Sequence, residues 1–134
     1  DRGLHGHVAI VLDERDARTI HERLLILHGG PAGVRDAGLL QSALARPQQV
    51  AACGNQPDVA DVAAAYTAGT VKNHPFVDGN KRISFVLGIL FLELNGMHFT
   101  ATEELAAQAV LELAAGKMDM PGYAAFLRAN SVPE

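Results

Sequence analysis

The feature that most constrains the fold is the apolar run from Ile83 to Leu92, which is interrupted by Ser84. A helix that extends from Lys81 to Asn95 would be apolar almost all round, and such a helix has to be buried on every side. The run is too short to span a bilayer. Other elements must therefore pack around it, and the sequence predicts a domain built on a central buried helix.

The composition favours helices as the surrounding elements. Hydrophobic residues make up 49% of the chain and aromatic residues, which strands favour, only 5%. Alanine and leucine, which favour helices, dominate. A chain of 134 residues suits one compact domain. We therefore predict an all-α bundle over residues 13–134, preceded by an N-terminal arm or a short strand over residues 1–12.

Caps, breakers and apolar spacing predict the positions of the other helices. Asp36 and Asp58 are good N-caps, whereas Gly29-Gly30-Pro31 and Arg46-Pro47 are expected to end helices. The segment Gln48–Pro57 has no helical period and is predicted to be a loop. The predicted helices cover about residues 13–28, 36–46, 58–73, 102–116 and 121–130.

Charge and cysteine content exclude several classes of protein. The net charge is −4, with 11 Lys and Arg against 15 Asp and Glu, and no dense basic stripe is visible. These features disfavour nucleic acid as a partner. The single cysteine, Cys53, cannot form an internal disulfide. With no apparent signal peptide or membrane span, the sequence predicts a cytoplasmic protein with no membrane partner.

The residues typical of chemistry are concentrated in His74–Arg82, HPFVDGNKR, between two predicted helices. Gly79 allows a tight turn and a close approach of the backbone to a ligand. The N–H groups of Asn80, Lys81 and Arg82 would lie at a helix N-terminus, where anions bind. The positive charges of Lys81 and Arg82 oppose the helix dipole, so the pattern indicates a bound anion such as a polyphosphate.

Two further residues of this segment suggest a reaction. Asp78 offers a hard oxygen ligand that suits Mg²⁺. His74 has the side chain best suited to proton transfer near neutral pH. Together with an anion site, they favour phosphoryl or nucleotidyl transfer. In a purely structural interpretation, Asp78 only caps the following helix, and Lys81 and Arg82 are solvated surface charges.

The segment HPFVDGNKR resembles the signature of the Fic/Doc family, in which a His, a Phe, an acidic residue, a Gly-Asn pair and an Arg recur at this spacing. The flanking segments GGPAG (29–33), DAGLLQSALARP (36–47) and FLELNG (91–96) resemble the death-on-curing, or Doc, toxins of that family. The resemblance implies a small all-α bundle of the Fic/Doc type, with ATP as substrate and Mg²⁺ as metal.

The resemblance also implies a role for each residue of the segment. His74 would be the general base on a hydroxyl of a target protein, Phe76 would anchor the loop in the core, and Asp78 would hold Mg²⁺. The ATP phosphates would bind to residues of the following turn, namely Gly79 and Asn80, which shape the anion hole, together with Lys81 and Arg82.

Two positions depart from the Fic enzymes that transfer AMP. Those enzymes usually have Gly where Lys81 stands and a second Arg where Phe85 stands. Both departures resemble the Doc branch, which transfers the γ-phosphate of ATP and whose known target is elongation factor Tu. The resemblance thus implies a toxin kinase that modifies a Ser or Thr hydroxyl and blocks translation. AMP transfer remains an alternative, as does an inactive module that binds nucleotide or antitoxin.

The sequence also bears on regulation. Many Fic proteins carry an inhibitory helix with the pattern Ser/Thr-x-x-x-Glu-Gly/Asn. Its nearest approach here is Thr100 with Glu104, but Leu105 follows in place of Gly or Asn. We therefore expect a separate, cognate antitoxin to restrain the protein.

Overall fold

A computed structural model describes residues 11–53 and 56–134, and these form a helical bundle with one small antiparallel sheet. The all-α prediction is confirmed. The elements, in chain order, are α1 (Glu14–His28), α2 (Ala37–Cys53), α3 (Val59–Asn73), α4 (Asn80–Leu94), β1 (Met97–Phe99), α5 (Glu103–Ala114), α6 (Met120–Ala129) and β2 (Ser131–Pro133). None of the helices in these residues is both long enough and apolar enough to cross a membrane.

Helix α4 buries one face along its length, whereas the face with Phe85 and Ile89 lines an open cavity and is only half-buried. The prediction of a buried helix is confirmed for one face, but burial on every side is not found. Ile83, Leu87 and Phe91 are fully buried in the core. Helix α3 is buried over even more of its surface, and it packs against α2, α4, α5 and α6. Its small residues, chiefly alanine, permit these close contacts. Because these residues are less hydrophobic than those of α4, the sequence of α3 indicates burial less strongly. The centre of the bundle is therefore the α3–α4 pair. The loop that connects these two helices is held at each end by a helix packed in the core.

Glycine allows the two central helices to approach each other closely. A Cβ at Gly88 of α4 would collide with Thr67 Oγ1 of α3. The Thr67 hydroxyl instead donates a hydrogen bond of 2.8 Å to the carbonyl oxygen of Ser84. This contact fixes α4 against α3 one turn after the segment that carries the predicted site.

The predicted end of the second helix is wrong. Helix α2 continues through Pro47 to Cys53, so most of the predicted Gln48–Pro57 loop is helical. Proline cannot donate the helical bond to the carbonyl of Ala43. That carbonyl lies against Gly69 of α3, and its oxygen is only 3.2 Å from the position that a Cβ on residue 69 would take. Because Pro47 is buried and Val50 and Ala51 pack on the core, burial outweighs the lost hydrogen bond.

Most predicted helix starts are confirmed by their caps. Asp13 and Asp58 each form a capping box with the acidic residue three positions later. Asp36 accepts a hydrogen bond from the N–H of Leu39, and Thr102 accepts one from Leu105. The pairing of β1 with β2 was not predicted, since each strand has only three residues.

The predicted N-terminal arm or strand lies mostly outside the described residues. Of residues 1–12, only Val11 and Leu12 are described, and neither is in a strand. Leu12 is buried, and both of its backbone polar groups bond to the hydroxyl of Tyr66, at 2.8 and 3.1 Å. The start of the domain is therefore attached to the central helix α3.

Candidate active site

The segment predicted to carry the chemistry connects α3 to α4. His74 is the C-cap of α3 and adopts a left-handed conformation with φ 53° and ψ 52°. Its N–H donates to the carbonyl of Thr70 at 3.1 Å, and its side chain is exposed. A left-handed conformation is uncommon for a residue other than glycine, although His is among the more tolerant residues. The imidazole is thus presented to solvent from the end of a buried helix.

Arg35 fixes the backbone that carries His74. Its Nε donates to the carbonyl of His74 at 2.8 Å, and a terminal nitrogen donates to the carbonyl of Asn73 at 3.0 Å. The guanidinium therefore satisfies carbonyls at the C-terminus of α3, where the helix dipole favours a cation. Sequence reasoning missed this residue, because an Arg in a loop has no periodicity or motif that would reveal its partner.

A short extended segment of the chain runs antiparallel to the loop. The N–H of Val77 donates to the carbonyl of Gly33 at 3.0 Å, and the carbonyl of Pro75 accepts from Arg35 and Asp36. Val34 and Phe76 form an isolated β-bridge. The loop is therefore held by backbone hydrogen bonds along its first half.

Phe76 lies in the core, as its implied anchoring role requires. Only 1% of its surface is exposed. Its ring stacks on the imidazole of His21, with 3.9 Å between the centroids and an angle of 16° between the planes. Asn80 braces the same residue, because its side-chain amide accepts from the N–H of Phe76 and donates to its carbonyl, both at 2.9 Å. The Asn80 side chain is thus occupied, and only its backbone N–H can face an anion.

The N-terminus of α4 is uncapped, as a binding site for an anion requires. Gly79 is the N-cap at φ 76°, and no side chain caps the helix end. The first helical hydrogen bond runs from Ile83 to Gly79, so the N–H groups of the three preceding residues lack helical partners. The interpretation of Asp78 as a cap is therefore wrong. Lys81 and Arg82 are exposed, and neither makes an ion pair within residues 11–53 and 56–134.

Asp78 is free to act as a metal ligand. Its side chain is exposed, and its carboxylate receives no hydrogen bond from the described residues. The carboxylate lies beside Gly30, where a Cβ would be 2.6 Å from Asp78 Oδ2. Gly30 therefore makes room for it. Mg²⁺ is usually bound by one or two carboxylates together with substrate phosphates, so one free carboxylate beside an anion site fits this metal.

An apolar cavity of about 680 Å³ opens beside Lys81 and Arg82. With these two cations, His28 and Glu103 form the rim of the cavity. Its floor is formed by apolar side chains of α4, β1 and α5, namely Phe85, Ile89, Phe99, Val110 and Leu111. Phe85, the residue that stands where AMP-transferring enzymes have a second Arg, meets Phe99 edge to face at 5.9 Å. This position therefore builds an apolar surface and offers no charge to a phosphate.

The fold and the site define a class of helical protein that presents a histidine, a carboxylate and an uncapped helix N-terminus on one braced loop. The chain belongs to the Fic/DOC family, whose family model matches residues 11–92. It is 37% identical over 119 residues to "Toxin Doc" of Mycolicibacterium smegmatis, covering 87% of this chain and 89% of that protein. It is 31% identical over 109 residues to "Protein kinase doc" of Escherichia phage P1, covering 81% and 86% respectively.

Proposed function

We propose that this protein is a Doc-like toxin that transfers the γ-phosphate of ATP to a Ser or Thr hydroxyl of a target protein. The observation that carries the proposal is the uncapped N-terminus of α4, where Lys81 and Arg82 are unpaired among the described residues. An anion is needed to offset two cations at the positive end of a helix dipole. His74 and Asp78 lie on the loop that leads into this helix end.

In the proposed reaction, His74 takes the proton from the acceptor hydroxyl. The hydroxyl oxygen then forms a bond to the γ-phosphorus, the bond between that phosphorus and the β–γ bridging oxygen breaks, and ADP leaves. The backbone N–H groups at the start of α4, with Lys81 and Arg82, stabilise the negative charge on the phosphates. Asp78 would hold Mg²⁺, which neutralises phosphate charge when bound.

Lys81 and Phe85 support phosphate transfer over AMP transfer. Lys81 carries a long, exposed side chain on the first turn of α4, and Phe85 supplies no second phosphate clamp. The relative named "Protein kinase doc" is consistent with this choice. On the family resemblance, we propose elongation factor Tu as the target, the cytoplasm as the location and arrest of translation as the outcome.

The experiment that tests this function uses ATP labelled on either the γ- or the α-phosphate. The protein is incubated with elongation factor Tu, Mg²⁺ and one of the two labels. Label transferred from the γ position alone supports the proposal. Transfer of the α label would establish AMP transfer instead, and binding of ATP without any transfer would indicate an inactive module.

Replacing Asp78 with asparagine is expected to weaken the binding of Mg²⁺–ATP more than the binding of ATP alone. The substitution removes the charge that a hard cation prefers while keeping the size of the side chain. Calorimetric titrations of ATP with and without Mg²⁺ measure the difference. Glu104→Gln, an exposed acid on α5, is the matched control and should change neither titration. An equal loss with and without Mg²⁺ would rule out a metal-binding role for Asp78.

We further propose that a cognate antitoxin inhibits the protein by laying an amphipathic helix in the cavity beside Lys81 and Arg82. The cavity has an apolar floor, and Lys81 and Arg82 lie together on one side of its rim. These features suit a helix with apolar residues on one face and carboxylates along the edge that meets the two cations. Leu111 on the floor is 51% exposed in the free protein, so a partner can cover it.

A charge placed on this floor is expected to release the protein from its antitoxin. Leu111→Asp should weaken antitoxin binding by about tenfold or more, the effect of losing a central apolar contact, while phosphate transfer continues. Leu105→Asp is the matched control, since Leu105 is 53% exposed on the same helix but does not line the cavity. Binding to the antitoxin encoded beside the gene is measured by calorimetry. Equal inhibition of both variants would place the antitoxin elsewhere.

A further inference from the structure

His21 of α1 is buried and joined to the site, yet the reaction proposed above does not use it. Only 3% of its surface is exposed. It stacks on Phe76, and its Nε2 lies 2.8 Å from the carbonyl oxygen of Asp78. A carbonyl oxygen can only accept a hydrogen bond, so Nε2 carries the hydrogen and donates it. A buried polar side chain thus contacts two residues of the loop, one through its ring face and one through its edge.

This hydrogen bond fixes the orientation of the peptide between Asp78 and Gly79. The carbonyl of that peptide points at α1, and the peptide is trans. In a trans peptide the N–H is directed opposite to the carbonyl, so the N–H of Gly79 faces away from α1. The same bond fixes the backbone from which the Asp78 carboxylate projects beside Gly30. His21 is therefore coupled to the carboxylate through one peptide unit.

We propose that His21 is a positioning residue, which orients Asp78 for Mg²⁺ through the backbone carbonyl of Asp78 and through Phe76. This inference rests on the proposed function for the identity of the metal and the nucleotide. Residues that orient metal ligands typically change metal affinity or activity by about 10- to 100-fold when they are replaced. His21 would act in this way without touching the substrate.

Three substitutions separate the hydrogen bond from the packing. His21→Phe keeps an aromatic ring against Phe76 but removes the donor. His21→Leu also removes the donor, and its side chain is smaller than that of phenylalanine. It therefore replaces His21→Phe in the test if the phenylalanine variant does not fold. His21→Gln restores an N–H donor without the ring. Ala124→Gly in α6 is the control for lost stability, because Ala124 is buried far along the chain and is not part of the loop.

The measurement is a calorimetric titration of Mg²⁺ into each protein saturated with a non-hydrolysable ATP analogue, together with its melting temperature. We expect the donor-free variants to bind Mg²⁺ about tenfold or more weakly. His21→Gln should recover much of that loss although its melting temperature is lowered, and Ala124→Gly should bind Mg²⁺ like the unmodified protein. The proposal is overturned if a folded donor-free variant binds Mg²⁺ normally, or if Ala124→Gly loses as much affinity.

Failure of the proposed function appears separately, in the unmodified protein. If that protein transfers no γ-phosphate but binds the Mg²⁺ complex, the function fails while the titrations still decide the role of His21. If it binds no Mg²⁺ with the nucleotide analogue, both the function and the role of His21 are rejected.

Discussion

Replacing His74 with alanine is expected to lower the rate of phosphate transfer by about 10²- to 10⁴-fold, the usual contribution of a positioned general base. The side chain of His74 is exposed, while its backbone makes the hydrogen bonds to Thr70 and Arg35 that shape the loop. Removal of the imidazole therefore leaves the framework of the site in place. The loop from His74 to Arg82 contains no other imidazole, and its one carboxylate, that of Asp78, is proposed to hold Mg²⁺.

The left-handed backbone of His74 decides which variant makes the cleaner test. Alanine is less tolerant than histidine of a positive φ, so His74→Ala can also lose some stability. Asparagine accepts this conformation readily but has no basic group near neutral pH. His74→Asn should therefore be as inactive as His74→Ala and as stable as the unmodified protein. Rates with γ-labelled ATP and melting temperatures measure both. Normal transfer by a folded His74→Asn would remove His74 from the mechanism.

The sequence predicted the class of fold because its strongest signals are local. The apolar run in α4 and the caps Asp36 and Asp58 each act within a few residues, and the helices that they indicate are confirmed. The continuation of α2 through Pro47 could not be predicted in this way. It depends on the packing of Val50 and Ala51 on the core, which is a property of the folded bundle.

The sequence also located the loop, but it could not identify what holds the loop in place. The residues from His74 to Arg82 are adjacent in the chain, so their combination is visible as a motif. Arg35 lies 39 residues from His74, and His21 lies 57 residues from Asp78. Such distant contacts leave no periodicity in a single sequence. The occupied side chain of Asn80 was not foreseen for a different reason. Its partner, Phe76, is only four residues away, but the turn that brings the amide across Phe76 exists only in the folded loop.

Lys81→Gly is expected to weaken γ-phosphate transfer and to permit some transfer of AMP. In the proposed mechanism the phosphate that faces His74 decides the product, and Lys81 stands at the helix end that is proposed to bind the phosphates. The charged side chain should stabilise one orientation of ATP and block the other. The loss of a hydrogen bond to a charged group corresponds to about tenfold or more in phosphate transfer. Lys81→Ala, which preserves helix propensity better than glycine, shows how much of the loss comes from the helix itself.

Phe85 determines how far this change of product can proceed. Lys81 and Phe85 are one helical turn apart and line the same cavity, so an arginine at position 85 would project beside the phosphates proposed to bind near Lys81. AMP transfer by Lys81→Gly alone should therefore be weak, and adding Phe85→Arg should raise it. Mass spectrometry of the target protein distinguishes the two products, because an adenylate adds much more mass than a phosphate. If the unmodified protein already adds adenylate, Lys81 does not select the orientation of ATP, and AMP transfer is the activity of this protein.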